Sequence, residues 1–129
     1  MGFAYEISQS GNHVQVVGTG KITTAECIGL VERVMSDPRH RPDSTALIDL
    51  RDAIYEPKDM AEVIQISTAL EAFHYVLKDN IAIVARQSTL FPAEIFSTHV
   101  REAINIRIRV FVDMDAAEEF CREVSGHAA

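Results

Sequence analysis

The polar residues best placed to do chemistry form a short group, Asp49, Arg51 and Asp52. Asp49 interrupts the apolar run Thr45–Leu50, which we predict to be a buried strand ending at this group. Open α/β sheets bind ligands at the carboxyl ends of their parallel strands, so the group is a candidate site. The alternative is structural: Asp49 caps local backbone N–H groups and Arg51 pairs with Asp52 or another surface acid. We favour the structural alternative.

Catalysis has little support elsewhere in the chain. A general base or a nucleophile needs an orienting partner beside it, and the histidines and cysteines are scattered. No histidine pair has the helical spacing of a zinc motif, and neither cysteine lies in a nucleophile turn. Folding could bring His74 and His99 together, with a carboxylate from Glu71, Glu94 or Glu102. We expect no enzymatic activity, no cofactor, no metal site and no single polar residue with a catalytic role.

The segment Gly18-Thr19-Gly20-Lys21 is superficially similar to a phosphate-binding loop. The Walker pattern needs a glycine five positions before Gly20, where Gln15 stands, and a serine or threonine after the lysine, where Ile22 stands. A turn that leads into the first helix accounts for both glycines, and we prefer that interpretation.

Length and composition indicate one globular domain over residues 1–129. Hydrophobic residues make up 47% and charged residues 24%, which is ordinary for a folded protein. The net charge of −7 opposes nucleic-acid binding. The longest apolar run, Ile81–Ala85, is too short to cross a bilayer, and the N-terminus has no export signal. We therefore expect a soluble, cytoplasmic domain without stable membrane insertion, in which Cys27 and Cys121 are free thiols.

The apolar periodicity predicts the order β-β-α-β-α-β-α-β-α. Strands that alternate with helices after an opening hairpin indicate an α/β domain with a five-stranded, mixed, mostly parallel sheet and four helices. The predicted strands are Phe3–Ser8, His13–Val17, Thr45–Leu50, Ile81–Arg86 and Arg107–Val112, with a loop at Arg51–Lys58. The first predicted helix begins with a Thr23/Glu26 capping box, and the second and third are Asp59–Lys78 and Pro92–Ile104. The last begins at Asp115 with Glu118 and stops at Gly126.

Four segments of this pattern resemble the SpoIIAA-like branch of the STAS (anti-sigma-factor antagonist) family. They are Val16–Thr23, Ala46–Asp52, Ile81–Val84 and Val110–Ala117. In that family a Gly-x-hydroxyl turn enters helix one, an LxDLR-type strand end follows, and an acidic N-cap begins an Ala-rich last helix. The resemblance implies a bacterial regulatory domain that binds a kinase-like anti-sigma factor or regulates a larger protein. A wider kinship with CRAL-TRIO lipid-transfer domains is also drawn.

One departure from the family concerns its phosphorylation switch. In the antagonists, a serine of an Asp-Ser-Ser-Gly-type motif at the start of helix two is phosphorylated. The corresponding segment here, Glu56–Met60, contains no serine or threonine, so we do not expect a switch at that place. We predict instead that Asp59 is the N-cap of helix two, with Glu62 completing a capping box. In an alternative, the Asp59 carboxylate stands where the family's phosphoserine charge would be.

Our first functional hypothesis is a non-enzymatic regulatory or protein-interaction domain of STAS type. Its contact surface would be the loop Arg51–Asp59 and the beginning of helix two, with an unidentified protein partner. The predicted interaction residues are Asp49, Arg51, Asp52, Tyr55 and Asp59.

The alternative function is that of a small carrier that binds an apolar ligand, such as a lipid or acyl metabolite, between helices two and three and the sheet. The residues predicted to line this pocket are Phe73, Val76, Leu77, Leu90, Phe91, Ile95 and Phe96, although the same side chains could simply fill the core. We also expect a homodimer, because Met60, Ile64 and Val76 fall off the main apolar stripe of helix two.

Overall fold

The structure is a computed structural model that describes residues 2–73, 80–104 and 106–128; the side chains of Ser88 and of residues 124–128 are outside this description. The elements follow the predicted order. They are β1 (Gly2–Ile7), β2 (His13–Ile22), α1 (Thr24–Ser36), β3 (Thr45–Tyr55), α2 (Met60–Glu71), β4 (Asn80–Val84), α3 (Gln87–Ala103), β5 (Arg107–Phe111) and α4 (Met114–Ala128).

The strands form one sheet in the order β1-β2-β3-β4-β5. β1 is antiparallel to β2 and the other neighbours are parallel, which confirms the predicted hairpin and mixed sheet. Helices α1, α2 and α3 cover one face, over a core that includes Val14, Ile83 and Val100. Helix α4 packs on the other face over β3, β4 and β5, with Phe120 in its core. The outer face of β1 and β2 stays exposed.

The starts of α1 and α2 follow the local sequence. Thr23 Oγ1 accepts a hydrogen bond from the Glu26 N–H at 3.1 Å, and Glu26 Oε1 accepts one from the Thr23 N–H at 2.9 Å, so the predicted capping box is confirmed. Asp59 caps α2 through the Glu62 N–H at 3.2 Å, also as predicted. The second half of that box was wrong, because the Glu62 carboxylate accepts from the Lys58 N–H instead.

Three helix boundaries differ from the prediction. α3 begins at Gln87, so Pro92 lies inside it, and burial of Thr89 and Ala93 offsets the backbone hydrogen bond that proline cannot make. α4 begins at Met114, before the predicted Asp115, because Asp113 Oδ1 accepts a hydrogen bond from the Asp115 N–H at 3.2 Å. It also continues past Gly126, where it was predicted to stop. α2 ends at Glu71 and Ala72–Phe73 form a turn, so the predicted helix is wrong there; its last part, residues 74–78, lies outside the described residues.

The largest correction concerns β3, which extends to Tyr55 rather than ending at Leu50. The prediction of a loop from Arg51 was therefore wrong over five residues, because β2 is longer than expected and pairs with β3 throughout. Val17 pairs with Asp49 but the next pair is Thr19 with Asp52, so β3 carries one extra residue, a β-bulge at Leu50–Arg51. The bulge resets the side-chain alternation and returns Tyr55 to the core face.

The glycines predicted to form a turn lie inside β2, opposite this bulge. A side-chain carbon at Gly18 would lie 3.0 Å from Phe3 Cε1 and 3.1 Å from Leu50 Cδ2. Gly20 has a φ of +68°, a conformation that other residues rarely adopt. Gly18 therefore serves the close packing of β2 and Gly20 its local backbone conformation, and the turn interpretation was wrong.

Candidate functional site

The N-terminal ends of α2 and α3 border an open groove of about 410 Å³. Two apolar side chains at its rim are unusually exposed, Met60 at 55% and Phe91 at 70% of their surface. Contiguous apolar surface of this kind often marks an interaction site. The complete lining is Tyr55, Glu56, Pro57, Asp59, Met60, Val63, Phe91, Pro92 and Ile95.

A hydrogen-bond network fixes the shape of this groove at its base. The buried Tyr55 hydroxyl lies 2.9 Å from Thr24 Oγ1, which also donates to Glu62 Oε1 at 2.9 Å. The backbone N–H of Lys58 donates to the second oxygen of Glu62 and lowers the pKa of this carboxyl group, with help from Thr24. Burial raises the pKa of Tyr55. The network ties the starts of α1 and α2 to the end of β3, so the rim of the groove has a defined geometry.

The rim of the groove is acidic. Between Glu56 and Glu62 the chain has three carboxylates, the third being Asp59, and one base, Lys58. The carboxylates of Asp59 and Glu62 also accept backbone hydrogen bonds at the start of α2, where the helix dipole favours negative charge. The groove therefore combines apolar walls with a negative edge.

An apolar cavity of about 100 Å³ lies beneath the groove, between the sheet and helices α1, α2 and α3. Tyr55, Val63 and Pro92 line both spaces. An engineered apolar cavity of about 150 Å³ holds a molecule the size of benzene, and pockets for drug-sized ligands begin near about 300 Å³. The cavity by itself therefore suits a small apolar molecule and is too small for an acyl chain.

The residues predicted to line an apolar pocket are divided between these spaces. Phe96 lines the cavity, Phe91 and Ile95 line the groove, Leu90 packs against the main core, and Phe73 is half-buried. Val76 and Leu77 lie outside the described residues.

Sequence reasoning missed the walls of the cavity that come from α1 and β3. They include Cys27, Leu30, Val31, Ile48 and Leu50. Burial raises the pKa of the Cys27 thiol to about 12, so it stays protonated and unreactive at neutral pH. The apolar stripe of α1 was visible in the sequence, but nothing there indicated that it faces a cavity rather than a filled core.

The group around Asp49 is internally paired. Asp49 Oδ1 accepts from the N–H and the Nε of Arg51, each at 3.0 Å, and its other oxygen lies 2.9 Å from Arg51 Nη2. The Arg51 side chain holds the pKa of Asp49 below its usual value. Asp52 lies 3.9 Å from Arg86, with both side chains exposed. This geometry supports the structural alternative, with Asp49 rather than Asp52 as the partner of Arg51.

The five predicted interaction residues do not form one patch. Asp49 and Asp52 lie on the sheet face that carries α4, whereas Tyr55 and Asp59 lie at the groove on the opposite face. The separation follows from the bulge in β3, because Asp49 and Tyr55 would point to the same face of a regular strand and the extra residue moves Tyr55 to the opposite one.

The predicted pairing of His74 or His99 with a nearby carboxylate can be followed at His99. His99 Nδ1 lies 3.0 Å from Glu71 Oε2, without good hydrogen-bond angles, so α2 and α3 are neighbours as expected. His74 lies outside the described residues. Within the described ranges, no group of three His, Cys, Asp or Glu side chains is arranged to hold a metal ion, and no helix is long and apolar enough to span a bilayer.

The chain has a SpoIIAA-like fold. It is similar to an uncharacterised protein from the DUF3478 family with a SpoIIAA-like fold from Shewanella loihica PV-4, with a TM-score of 0.56, 16% identity, and coverage of 93% of this chain and 94% of that one. This similarity confirms the predicted fold; at such low identity it carries no information on activity. No family profile matches the chain, and no curated protein matches its sequence.

Proposed function

We propose that this protein is a non-enzymatic interaction domain of STAS type that binds a partner protein through the groove between α2 and α3. The observation that carries the proposal is the exposure of Met60 and Phe91 at the rim. Exposed apolar area costs about 25 cal/mol per Å², and a partner side chain that covers both residues recovers that free energy.

The acidic rim defines the chemistry of the partner. Glu56 and Asp59 flank the apolar walls, and the chain as a whole carries a net charge of −7. A segment with an apolar side chain next to lysine or arginine therefore fits both the walls and the rim, and opposite charges also speed its association.

A non-enzymatic role is supported by what the polar groups near the groove do. Asp59 and Glu62 are engaged in capping α2, and the Tyr55 hydroxyl is engaged with Thr24. Each of these groups already has a structural partner, and none is paired with a nucleophile in an arrangement typical of catalysis.

Peptide display against the purified protein tests this proposal. We expect enriched peptides to share an apolar residue with neighbouring basic residues, and Phe91→Asp to weaken their binding at least tenfold. Val112→Asp is the matched control, because Val112 is 69% exposed and does not line the groove. Binding measured by fluorescence polarisation should be unchanged in this control.

Two results would overturn the proposal. One is an enriched peptide set without the apolar and basic pattern. The other is equal binding of the selected peptides to the wild type and to Phe91→Asp, provided that circular dichroism shows both proteins folded.

A second candidate function, the apolar carrier, is favoured by the cavity beneath the groove. Its volume of about 100 Å³ directs the test to small apolar ligands rather than to lipids. Native mass spectrometry of the purified protein should then show a co-purifying small molecule. Ala93→Leu, which fills the cavity from α3, should abolish that adduct, whereas Phe91→Asp should leave it in place.

A further inference from the structure

The two edge strands of the sheet, β1 and β5, differ in whether a side chain binds their outward-pointing backbone groups. At the β5 edge, Arg101 of α3 donates a hydrogen bond from Nη1 to the backbone carbonyl of Ile108 at 2.9 Å. The Phe111 carbonyl accepts a hydrogen bond from the Ala85 N–H and so points toward β4. The backbone N–H and C=O of successive strand residues point to alternate sides, so those of Ile108, three residues earlier, point away from the sheet. A side chain therefore occupies the place where another strand would bind.

At the β1 edge, no side chain of the described residues donates a hydrogen bond to an outward-pointing backbone group in this way. The Ser8 N–H donates a hydrogen bond to the His13 carbonyl at 2.8 Å. Because hydrogen-bonded residues alternate along an antiparallel pair, the backbone groups of Glu6 and Ala4 also point toward β2. The backbone N–H and C=O groups of Phe3, Tyr5 and Ile7 then point away from the sheet. Among the described residues, these backbone groups make no hydrogen bond to a loop, a turn or a helix end.

We propose that β1 pairs antiparallel with β1 of a second copy of this chain, about a two-fold axis at Tyr5. In this register Tyr5 faces Tyr5 of the second copy, and Phe3 faces Ile7. All three outward-pointing residues then form hydrogen-bonded pairs, each exchanging two backbone bonds, and the sheet continues across the dimer. This proposal is independent of the groove and of its partner.

The charges along this edge suit a reversed copy of the same chain. Glu6, the one charged residue of β1, faces Ala4 of the second copy, so like charges do not meet. Helix α1 packs beside β1, with Arg33 6.0 Å from the Tyr5 ring centre. It carries Glu26 in its first turn and Arg33 in its last, so the reversed arrangement brings the acidic end of one α1 toward the basic end of the other.

The difference between the edges also explains why the occupant is one further copy rather than a growing chain of copies. A β1–β1 pair is isologous and closes after two subunits. At the β5 edge, Arg101 occupies the Ile108 carbonyl, which opposes the addition of a further strand there. The result is a closed dimer.

Charge substitution at Ala4 tests the proposal without disturbing the monomer core, because Ala4 is exposed on the open sheet face. Ala4→Glu puts like charges opposite each other twice per dimer and should raise the dimer dissociation constant about tenfold, whereas Ala4→Lys should lower it by a similar factor. The control is Thr19→Glu, on the same exposed face of β2 but away from the axis. Sedimentation equilibrium gives the dissociation constants of the wild type and of the three variants.

Hydrogen exchange then locates the interface. The amides of Phe3, Tyr5 and Ile7 should be protected at high protein concentration and exchange faster on dilution. A monomer at hundreds of micromolar would overturn the proposal. So would a dimer that Ala4→Glu does not weaken, or one in which these three amides exchange rapidly.

Discussion

Two regions of the protein surface have opposite characters. At the bulge in β3, Asp49 and Arg51 form a bidentate pair, so each polar group finds its partner within the chain. At the groove, Met60 and Phe91 remain largely exposed, although buried residues lie directly beneath them.

The comparison shows where binding capacity remains. A charged side chain on a surface can be satisfied by a neighbour two residues away, and such a pair contributes little to stability or to recognition. An apolar side chain is satisfied only by burial, which the proposed partner would provide at the groove. The group that looked most like a site in the sequence is therefore the weaker candidate.

Substitution of Tyr55, at the groove, should have the largest effect on the free energy of unfolding. Tyr55 is 8% exposed and separates the groove from the cavity, so Tyr55→Ala should lower the free energy of unfolding by about 3 kcal/mol. Tyr55→Phe keeps the ring and loses only the hydrogen bond to Thr24, at a cost of about 1 kcal/mol. Urea unfolding measures both. Equal costs for the two variants would mean that the ring is not packed as described.

The cap of α2 should have an intermediate effect. Asp59→Ala removes the acceptor of the Glu62 N–H and should cost roughly 0.5–2 kcal/mol. Asp52→Ala is the comparison variant, since Asp52 is 73% exposed and lies 3.9 Å from Arg86, and it should cost less than about 0.5 kcal/mol. If the two denaturation midpoints shift equally, the start of α2 does not depend on its cap.

The Asp49–Arg51 pair should have the smallest effect at neutral pH. The Arg51 side chain is 43% exposed, so Asp49→Asn should cost only about 0.5 kcal/mol at pH 7. Because the folded-state pKa of Asp49 is lowered, its contribution is present above the unfolded-state pKa and is lost as the pH falls through the folded value. The free energies of unfolding of the variant and the wild type should therefore begin to converge as the pH falls below about 4. A difference that stays constant from pH 7 to pH 3 would contradict this linkage.

Local sequence determined where α1 and α2 begin and which fold the chain forms. The Thr23/Glu26 box and the Asp59 cap act within four residues, so their outcome depends little on the rest of the chain. Alternation of strands and helices likewise leaves few topologies for a chain of this length, and the SpoIIAA-like architecture followed.

Tertiary structure decided the length of β3, the division of the predicted surface and the existence of the cavity. Strand pairing depends on a neighbour that is distant in sequence, and the bulge at Leu50–Arg51 appears only when β2 and β3 are aligned. That one extra residue places Asp49 and Tyr55 on opposite faces of the sheet, although regular alternation over six residues would put them on the same face. Whether the apolar stripe of α1 meets a filled core or a cavity likewise depends on how three helices pack together, which no local pattern specifies.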